Sequence, residues 1–363
     1  MKGSKAPASR AASRKHTHRI TLRDVAEHLG LSQTTVSFVL NNSPLASTIA
    51  KQTQERIWDA ARELQYRPNI FARYLHTKRT YSVAVLVPDI GDEYSSVLIS
   101  GIERHLADSG FIYMVLSHRG VPEKVQNLPN TLMDRAVEGL IAINTPLDCP
   151  LSMPVVAISD ITKGSGITHI LIDNTTAATL ALRHLHDLGH KKVAFFKGPE
   201  GNGDTDNRWS CLLQAARHVG IAITSQLTVQ LGTHPIRDKH TMSEYGYMAA
   251  QELIERKRCF TAIVAFNDGS AIGAIRALND AGLRVPQDVS IVGFDDVVQA
   301  AYAIPRLTTI RQPLQEMGQI AAKTLLDIIH EKKKFPPEIV LQPQIVVRES
   351  TAIAPPGKKS QAH

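Results

Sequence analysis

TLRDVAEHLGLSQTTVSFVL, residues 21–40, decides the reading of this chain. Thr21 precedes an apolar-periodic stretch and Asp24 follows three places on, the spacing at which side-chain oxygens satisfy the unpaired amides of a helix start. A first helix therefore begins at about Leu22. Val25, Ala26 and Leu29 give it one apolar face, and Gly30, able to take the left-handed conformation, ends it. Ser32 can cap a second helix through 33–41 whose inner face is Val36, Val39 and Leu40. Two short helices so closely spaced form a helix-turn-helix, the geometry that lays the second helix in the DNA major groove. Gln33, Thr34, Ser37 and Phe38 are left on the outer face to meet bases, and Thr21, Ser32 and Thr35 complete the expected DNA-binding set.

Residues 41–48 read as a loop with Pro44, and a third helix follows from about 50 to 64 with Ile57, Ala60, Ala61 and Leu64 on one face. Val25, Val36, Leu40, Ile57 and Leu64 are its expected core with the first two helices. Pro68 disfavours helical dihedrals at Arg67, and 69–76 is too short to be a stable helix alone.

Charge supports a nucleic-acid partner. Lys and Arg number 41 against 34 Asp and Glu, a net of +7. Residues 1–80 hold 14 Lys and Arg against 5 Asp and Glu, a net of +9, which leaves −2 for the rest. The whole surplus sits with the helix-turn-helix and the arm before it, the footprint of phosphate-backbone binding. That arm, 1–19, has no apolar run, so it is not read as a signal peptide, and its Ser, Ala, Lys and Arg composition predicts a disordered basic segment. Cys149, Cys211 and Cys259 are few, scattered and without CxxC spacing, which fits a reduced cytoplasm and argues against zinc. No stretch approaches the roughly 20 apolar residues that span a bilayer.

From Tyr81 onward, apolar runs (SVAVLVP, IYMVLS, VEGLIAI, PVVAI, KKVAFFKG, TAIVAF, VSIVGF) alternate with helical stretches such as 97–109 and 270–281. Such alternation predicts parallel sheets covered by helices. GLIAIN before one loop and AIVAFND before another suggest a duplicated lobe.

The strings TLRDVAEHLGLSQTTVSFVLNN and ERIWDAARELQYRPNIFARYLHTKRT resemble the headpiece and hinge of the lactose-repressor (LacI/GalR-type) transcription regulators. VAVLVPDI, EGLIAI, LRHLHDLGHKKVAF, AFNDGSAIGAIRAL, VPQDVSIVGFDD and IPRLTTIRQP continue the resemblance in that family's order, over roughly 20–351. The resemblance implies an all-α helix-turn-helix headpiece (20–68), a hinge helix and linker (69–80), a two-lobed type I periplasmic-binding-protein-like α/β core of parallel sheets (81–352) that binds effector and dimerises, and a flexible tail (353–363). By the same resemblance one lobe takes 81–176 plus 311–333 and the other 177–310 plus 334–352, with closure hinges near 173–176 and 308–313. In the hinge segment Asn69, Ala72 and Leu75 match residues that enter the minor groove, where Leu75 would wedge between base pairs; packing of Leu75 on the core is the alternative. Phe38 departs from the family, which often carries Arg or His there; it can meet a thymine methyl or turn inward.

Effector residues carried over from the resemblance are Asp173, Arg208, Asn267, Asp268 and Asp295, with Tyr94 as an aromatic face at the cleft. Carboxylates and a guanidinium suit a polyhydroxyl ligand, although Asp268 or the Asp295–Asp296 pair could instead cap helices. PDIGDEYSS replaces the frequent PDIxNPFY, and Asp92 and Glu93 make this pocket more acidic. GPEGNGD lacks the order of a phosphate loop, Gly189 separates His186 from His190, and no nucleophile–base motif occurs. The expected function is a sequence-specific transcriptional regulator, read as a repressor, controlled by a small effector such as a sugar. It would be a cytoplasmic homodimer on a near-palindromic operator in double-stranded DNA, and neither an enzyme nor a metal or cofactor protein. A sugar-binding or transport receptor on the same lobes is the alternative, against which the headpiece and the missing export signal both stand.

Overall fold

The starts of the first two helices are fixed by local hydrogen bonds. Asp24 Oδ2 accepts from the Thr21 amide at 2.7 Å and Thr21 Oγ1 accepts from the Asp24 amide at 3.3 Å, so α1 (Leu22–Leu29) opens on a complete capping box. Gly30 ends it at φ 65°, and Ser32 Oγ accepts from the Thr35 amide to start α2 (Gln33–Leu40). The expected loop tightens into a 3-10 turn, Pro44–Thr48, before α3 (Lys51–Glu63). Val25, Ala26, Val36, Val39, Leu40, Ile57, Ala60 and Ala61 form the buried core; Leu64, expected there, lies past the end of α3 and is half-buried at the rim.

The computed structural model describes residues 20–41, 43–66, 79–147, 151–159, 166–200, 203–232, 240–256, 259–331 and 335–356. The chain divides into two compact units between Thr80 and Tyr81. Among the described residues no helix is long and apolar enough to cross a membrane.

The second unit holds two six-stranded sheets. The first contains β1 (Ser82–Val87), β2 (Ile112–Ser117), β3 (Gly139–Ile143), β4 (Val155–Ile158), β5 (Ile167–Ile172) and β11 (Glu338–Leu341); the second contains β6 (Val193–Lys197), β7 (Thr228–Gln230), β8 (Ala262–Val264), β9 (Ser290–Asp295), β10 (Thr308–Arg311) and β12 (Gln344–Val346). Their orders, β11-β5-β4-β3-β1-β2 and β12-β10-β9-β8-β6-β7, are the same pattern used twice, which establishes the duplication that GLIAIN and AIVAFND suggested. All pairings are parallel except β10 with β12. The inner strands β1, β3, β4, β8 and β9 are buried throughout, as parallel strands covered on both faces must be.

Helices cover both sheets: α4 (Glu93–Leu106), α5 (Pro122–Gln126) and α6 (Leu128–Asp134) on the first; α7 (Asn174–Asp187), α8 (Gly203–Val219), α9 (Met242–Glu255), α10 (Asp268–Asp280) and the short α11 (Val298–Tyr302) on the second; α12 (Leu314–Ile329) returns to the first. Each lobe contains a glycine-mediated helix crossing. A Cβ at Gly101 of α4 would collide with the Gln315 carbonyl oxygen of α12, and one at Gly246 of α9 with that of Ser270 in α10.

The chain changes lobe three times: from β5 into α7, from β10 into α12, and between β11 and β12. The first two crossings lie at the expected hinges. The third corrects the expected boundary, since β11 pairs with β5 and places 338–341 in the first lobe; only from β12 does the chain rejoin the second.

Candidate functional site

Two surfaces carry candidate chemistry. On the headpiece Thr21, Ser32, Gln33 and Thr34 are exposed, while Thr35, Ser37 and Phe38 are half-buried. The Ser32 and Thr35 hydroxyls are 2.8 Å apart, and Asn41 Nδ2 donates to Ser37 Oγ, so these short side chains brace the helix start and end. Gln33 and Thr34 project beside them. Phe38 is no member of the apolar core that Val36, Val39 and Leu40 build, so the inward alternative fails and the ring stays at the surface of α2. Asn69, Ala72 and Leu75, and the basic arm, lie outside the described residues.

In the second unit Asp173, Asn267 and Asp295 lie at or just past the carboxyl ends of β5, β8 and β9, where α/β sheets place ligands. Asp295, the last residue of β9, is buried, and its carboxyl accepts from Gln312 Nε2 at 2.7 Å. Asp295 and Asp296 have φ of 113° and 58°, a strained pair for residues with side chains. Asp296 is held by two guanidiniums, Arg348 Nη2 and Arg311 Nε, each at 2.6 Å. Neither aspartate caps α11, whose cap is Val297 without a side-chain bond.

Arg208, on α8, lies between two rings: its guanidinium carbon is 3.9 Å from the Phe294 centroid and 4.8 Å from that of Phe266, while Nη1 donates to the Phe266 carbonyl at 2.9 Å. It lines a pocket with Phe196, Thr205, Trp209, Phe266 and Phe294. Burial drives the Asp295 carboxyl well above the usual carboxylate range, against the pull of Arg208; Asp268 and Asp92 push it further up. On the first lobe, burial raises the Asp92 carboxyl as well, against the bonds that it accepts from Ser95.

Four expected effector residues are otherwise engaged. Asp173 caps α7, accepting from the Thr176 amide at 2.9 Å; that bond holds its carboxyl below the ordinary value. Asn267, not Asp268, caps α10, accepting from the Ser270 amide. Asp268 is fully buried, with Oδ2 accepting from the Val297 amide at 2.9 Å and Oδ1 from Thr309 Oγ1, and desolvation pushes it up to about 7. Tyr94, expected as an open aromatic face, is instead packed in the core of the first lobe with its hydroxyl against Ser159 Oγ. The physical reason is placement: it is the second residue of α4, on the face that α12 and the sheet cover. Sequence reasoning missed Gln312, a neutral residue within IRQP, and the two rings around Arg208, each just past or at a strand end.

A family model described as bacterial regulatory proteins, lacI family, matches residues 21–69, and one for a periplasmic binding protein-like domain matches 182–351. The HTH-type transcriptional repressor PurR of Yersinia pestis is 31% identical over 344 residues, covering 92% of this chain and 98% of that protein. The chain belongs to the LacI family. The lac repressor dimer bound to operator and the anti-inducer ONPF superposes with a TM-score of 0.80 at 26% identity, covering 92% of this chain and 100% of that one. A LacI family regulator from Enterococcus faecium with bound ribose gives 0.65 at 30% identity, over 75% and 99%. LacI-family membership accounts for both units at once: a helix-turn-helix headpiece, and two parallel-sheet lobes of the periplasmic-binding-protein type.

Proposed function

We propose that this protein is a transcriptional repressor that binds a near-palindromic operator as a homodimer and changes operator affinity when a small polyhydroxyl effector, a sugar or sugar derivative, occupies the interlobe cleft. Gln33, Thr34, Ser37 and Phe38 read base edges; Thr21, Ser32 and Thr35 sit against phosphates. Asn69, Ala72 and Leu75, together with the basic arm, belong to the DNA-binding surface through the family's hinge. The observation that carries the effector reading is the placement of Arg208 against the Phe294 ring beside Asp295 at the carboxyl end of β9. A ligand bridging groups from two lobes favours the closed arrangement, and only such differential binding can shift DNA affinity. Asp268, Asn267 and Asp173 support that site as buried brace and helix caps. The PurR relatives are named as repressors, which favours repression over activation. Val298, Tyr302 and Ile304, apolar and largely exposed on the second lobe, suit the dimer contact. The protein works in the cytoplasm, where its DNA is, and performs no catalysis.

Selection of bound sequences from a random DNA pool, repeated with candidate sugars, tests this. Enrichment of one two-fold-related site, weakened or strengthened by a sugar, supports it; enrichment of no sequence contradicts it.

A further inference from the structure

Asp295 and Asp296 are consecutive residues with side chains in left-handed backbone, at the carboxyl end of β9. Two such residues in a row are costly, and a turn of this kind persists only where its surroundings over-determine it. Three side-chain anchors do so here. Gln312 Nε2 donates to Asp295 Oδ1, Arg348 Nη2 and Arg311 Nε donate to separate oxygens of Asp296, and Asp268 Oδ2 accepts from the Val297 amide.

The two ion pairs on Asp296 are unequal. The side chains of Arg348 and Asp296 are 15% and 8% exposed, so water screens their pair little; Arg311 is 48% exposed, and its pair is the weaker one. Arg348 is itself held, with Nη1 donating to the Leu307 carbonyl at 2.8 Å and its amide to Thr308 Oγ1 at 2.9 Å. Both guanidiniums also stand beside places where the chain changes lobe. Arg311 ends β10 at the crossing into α12, and Arg348 lies two residues past β12, the strand that follows the crossing from β11.

We infer that Asp296 is a positioning residue for effector binding: paired with Arg348 and Arg311, it holds the left-handed turn that presents the Asp295 carboxyl to the ligand. This rests on the effector reading of Asp295 above. Asp296 acts through its neighbour and makes no ligand contact of its own, since a guanidinium occupies each of its oxygens. Removing Arg348 leaves a shielded carboxylate with one half-solvated partner, and the turn then rearranges to bring Asp296 toward water, taking Asp295 with it. The same pairs tie the turn to two of the three crossings between the lobes, where a closing motion would be absorbed.

The test uses the full chain as wild type, Arg348→Met, Arg348→Lys, Asp295→Asn and the double variant of Arg348→Met with Asp295→Asn, each shown to be folded by a melting curve. Crystal structures of wild type and Arg348→Met are compared, and ribose, glucose, galactose and cellobiose are titrated calorimetrically into all five proteins. In Arg348→Met the turn is expected to leave the left-handed region and the bond from Gln312 to Asp295 to open. Whichever sugar wild type binds is expected to be held roughly tenfold or more weaker by Arg348→Met, with binding largely restored by Arg348→Lys, which keeps the charge. Adding Arg348→Met to Asp295→Asn is expected to cost no further affinity, a non-additivity that general loss of stability does not produce. An unchanged turn in Arg348→Met, equal sugar affinity at equal folded content, or losses that add in the double variant overturns the inference while leaving the effector reading in place. Binding of none of the four sugars by wild type removes the sugar reading instead, and the crystal comparison alone then decides the role of Asp296.

Discussion

Gln312 donates its side-chain amide to Asp295 at 2.7 Å, tying the crossing between β10 and α12 to the carboxyl end of β9. A ligand that recruits Asp295 therefore acts next to one of the segments by which the chain crosses between the lobes. Where lobes of this kind close on a ligand, a few residues at element ends absorb the change.

Asp295→Asn keeps an oxygen for Gln312 to donate to, so the hinge bond survives while the carboxyl is lost. This variant is expected to bind operator without effector nearly as wild type does and to lose the response to effector. Arg208→Ala is expected to share that loss, with an additional fall in melting temperature, because the guanidinium fills the space between Phe266 and Phe294. Operator titrations with and without saturating effector check both; a normal response in either variant removes its residue from the site.

Asp268 gives the fold a pH signature. Its folded value of about 7 lies above the ordinary 3.8, so the folded state holds this proton more tightly than the unfolded one. Its contribution is fully present below pH of about 4 and is lost as pH rises through about 7, a destabilisation of order a few kcal/mol. Asn at this position can still accept from Val297 and donate to Thr309. Denaturant unfolding from pH 4 to 8 is thus expected to show Asp268→Asn gaining on wild type as pH rises, and parallel curves would exclude a raised Asp268.

The headpiece separates capping from reading. Ser32→Ala removes the acceptor for the Thr35 amide and is expected to destabilise the headpiece by about 1 kcal/mol. Gln33→Ala touches no core contact and is expected to leave the melting curve unchanged while costing about 1–3 kcal/mol of operator binding, with little effect on random DNA. Equal losses on both DNAs would reassign Gln33 to the phosphate backbone.

Assembly tests the exposed patch on α11 and after it. Tyr302 is 80% and Ile304 89% exposed, large apolar side chains that a lone subunit has no reason to present together. Tyr302→Asp combined with Ile304→Asp is expected to turn a dimer into a monomer in sedimentation at micromolar concentration and to weaken operator binding. A wild-type monomer, or a double variant that remains dimeric, contradicts that placement.

Legibility in the sequence followed the range of the interactions. Thr21, Asp24, Gly30 and Ser32 act within a few residues, and their roles were readable. The buried parallel strands were readable as apolar runs because both faces are covered. By contrast β11 is a half-exposed edge strand, EIVL, whose membership of one sheet or the other is a tertiary matter that no local pattern in the sequence decides. Asn267 and Asp268 are adjacent and both suited to capping; Asp268 is withdrawn from that role because Val297 and Thr309 occupy its oxygens. Tyr94 gave no signal of which way its ring turns, and Gln312 carries no charge to mark it. Arg208 and Asp295 were nameable individually from the family's motifs, but the rings that grip Arg208 come from two different strand ends and are juxtaposed only by the sheet.

The most direct measurement is operator affinity as a function of effector concentration, by fluorescence anisotropy on the site enriched from the random pool, for wild type and Asp295→Asn. Complete reversal from bound to free requires about a ten-thousandfold preference of the ligand for one conformation, so even a partial switch is resolved. Wild type is expected to show a saturable change in affinity of roughly tenfold or more, absent in Asp295→Asn at equal folded content. An affinity that stays constant while effector is demonstrably bound, or a variant that switches like wild type, would contradict it.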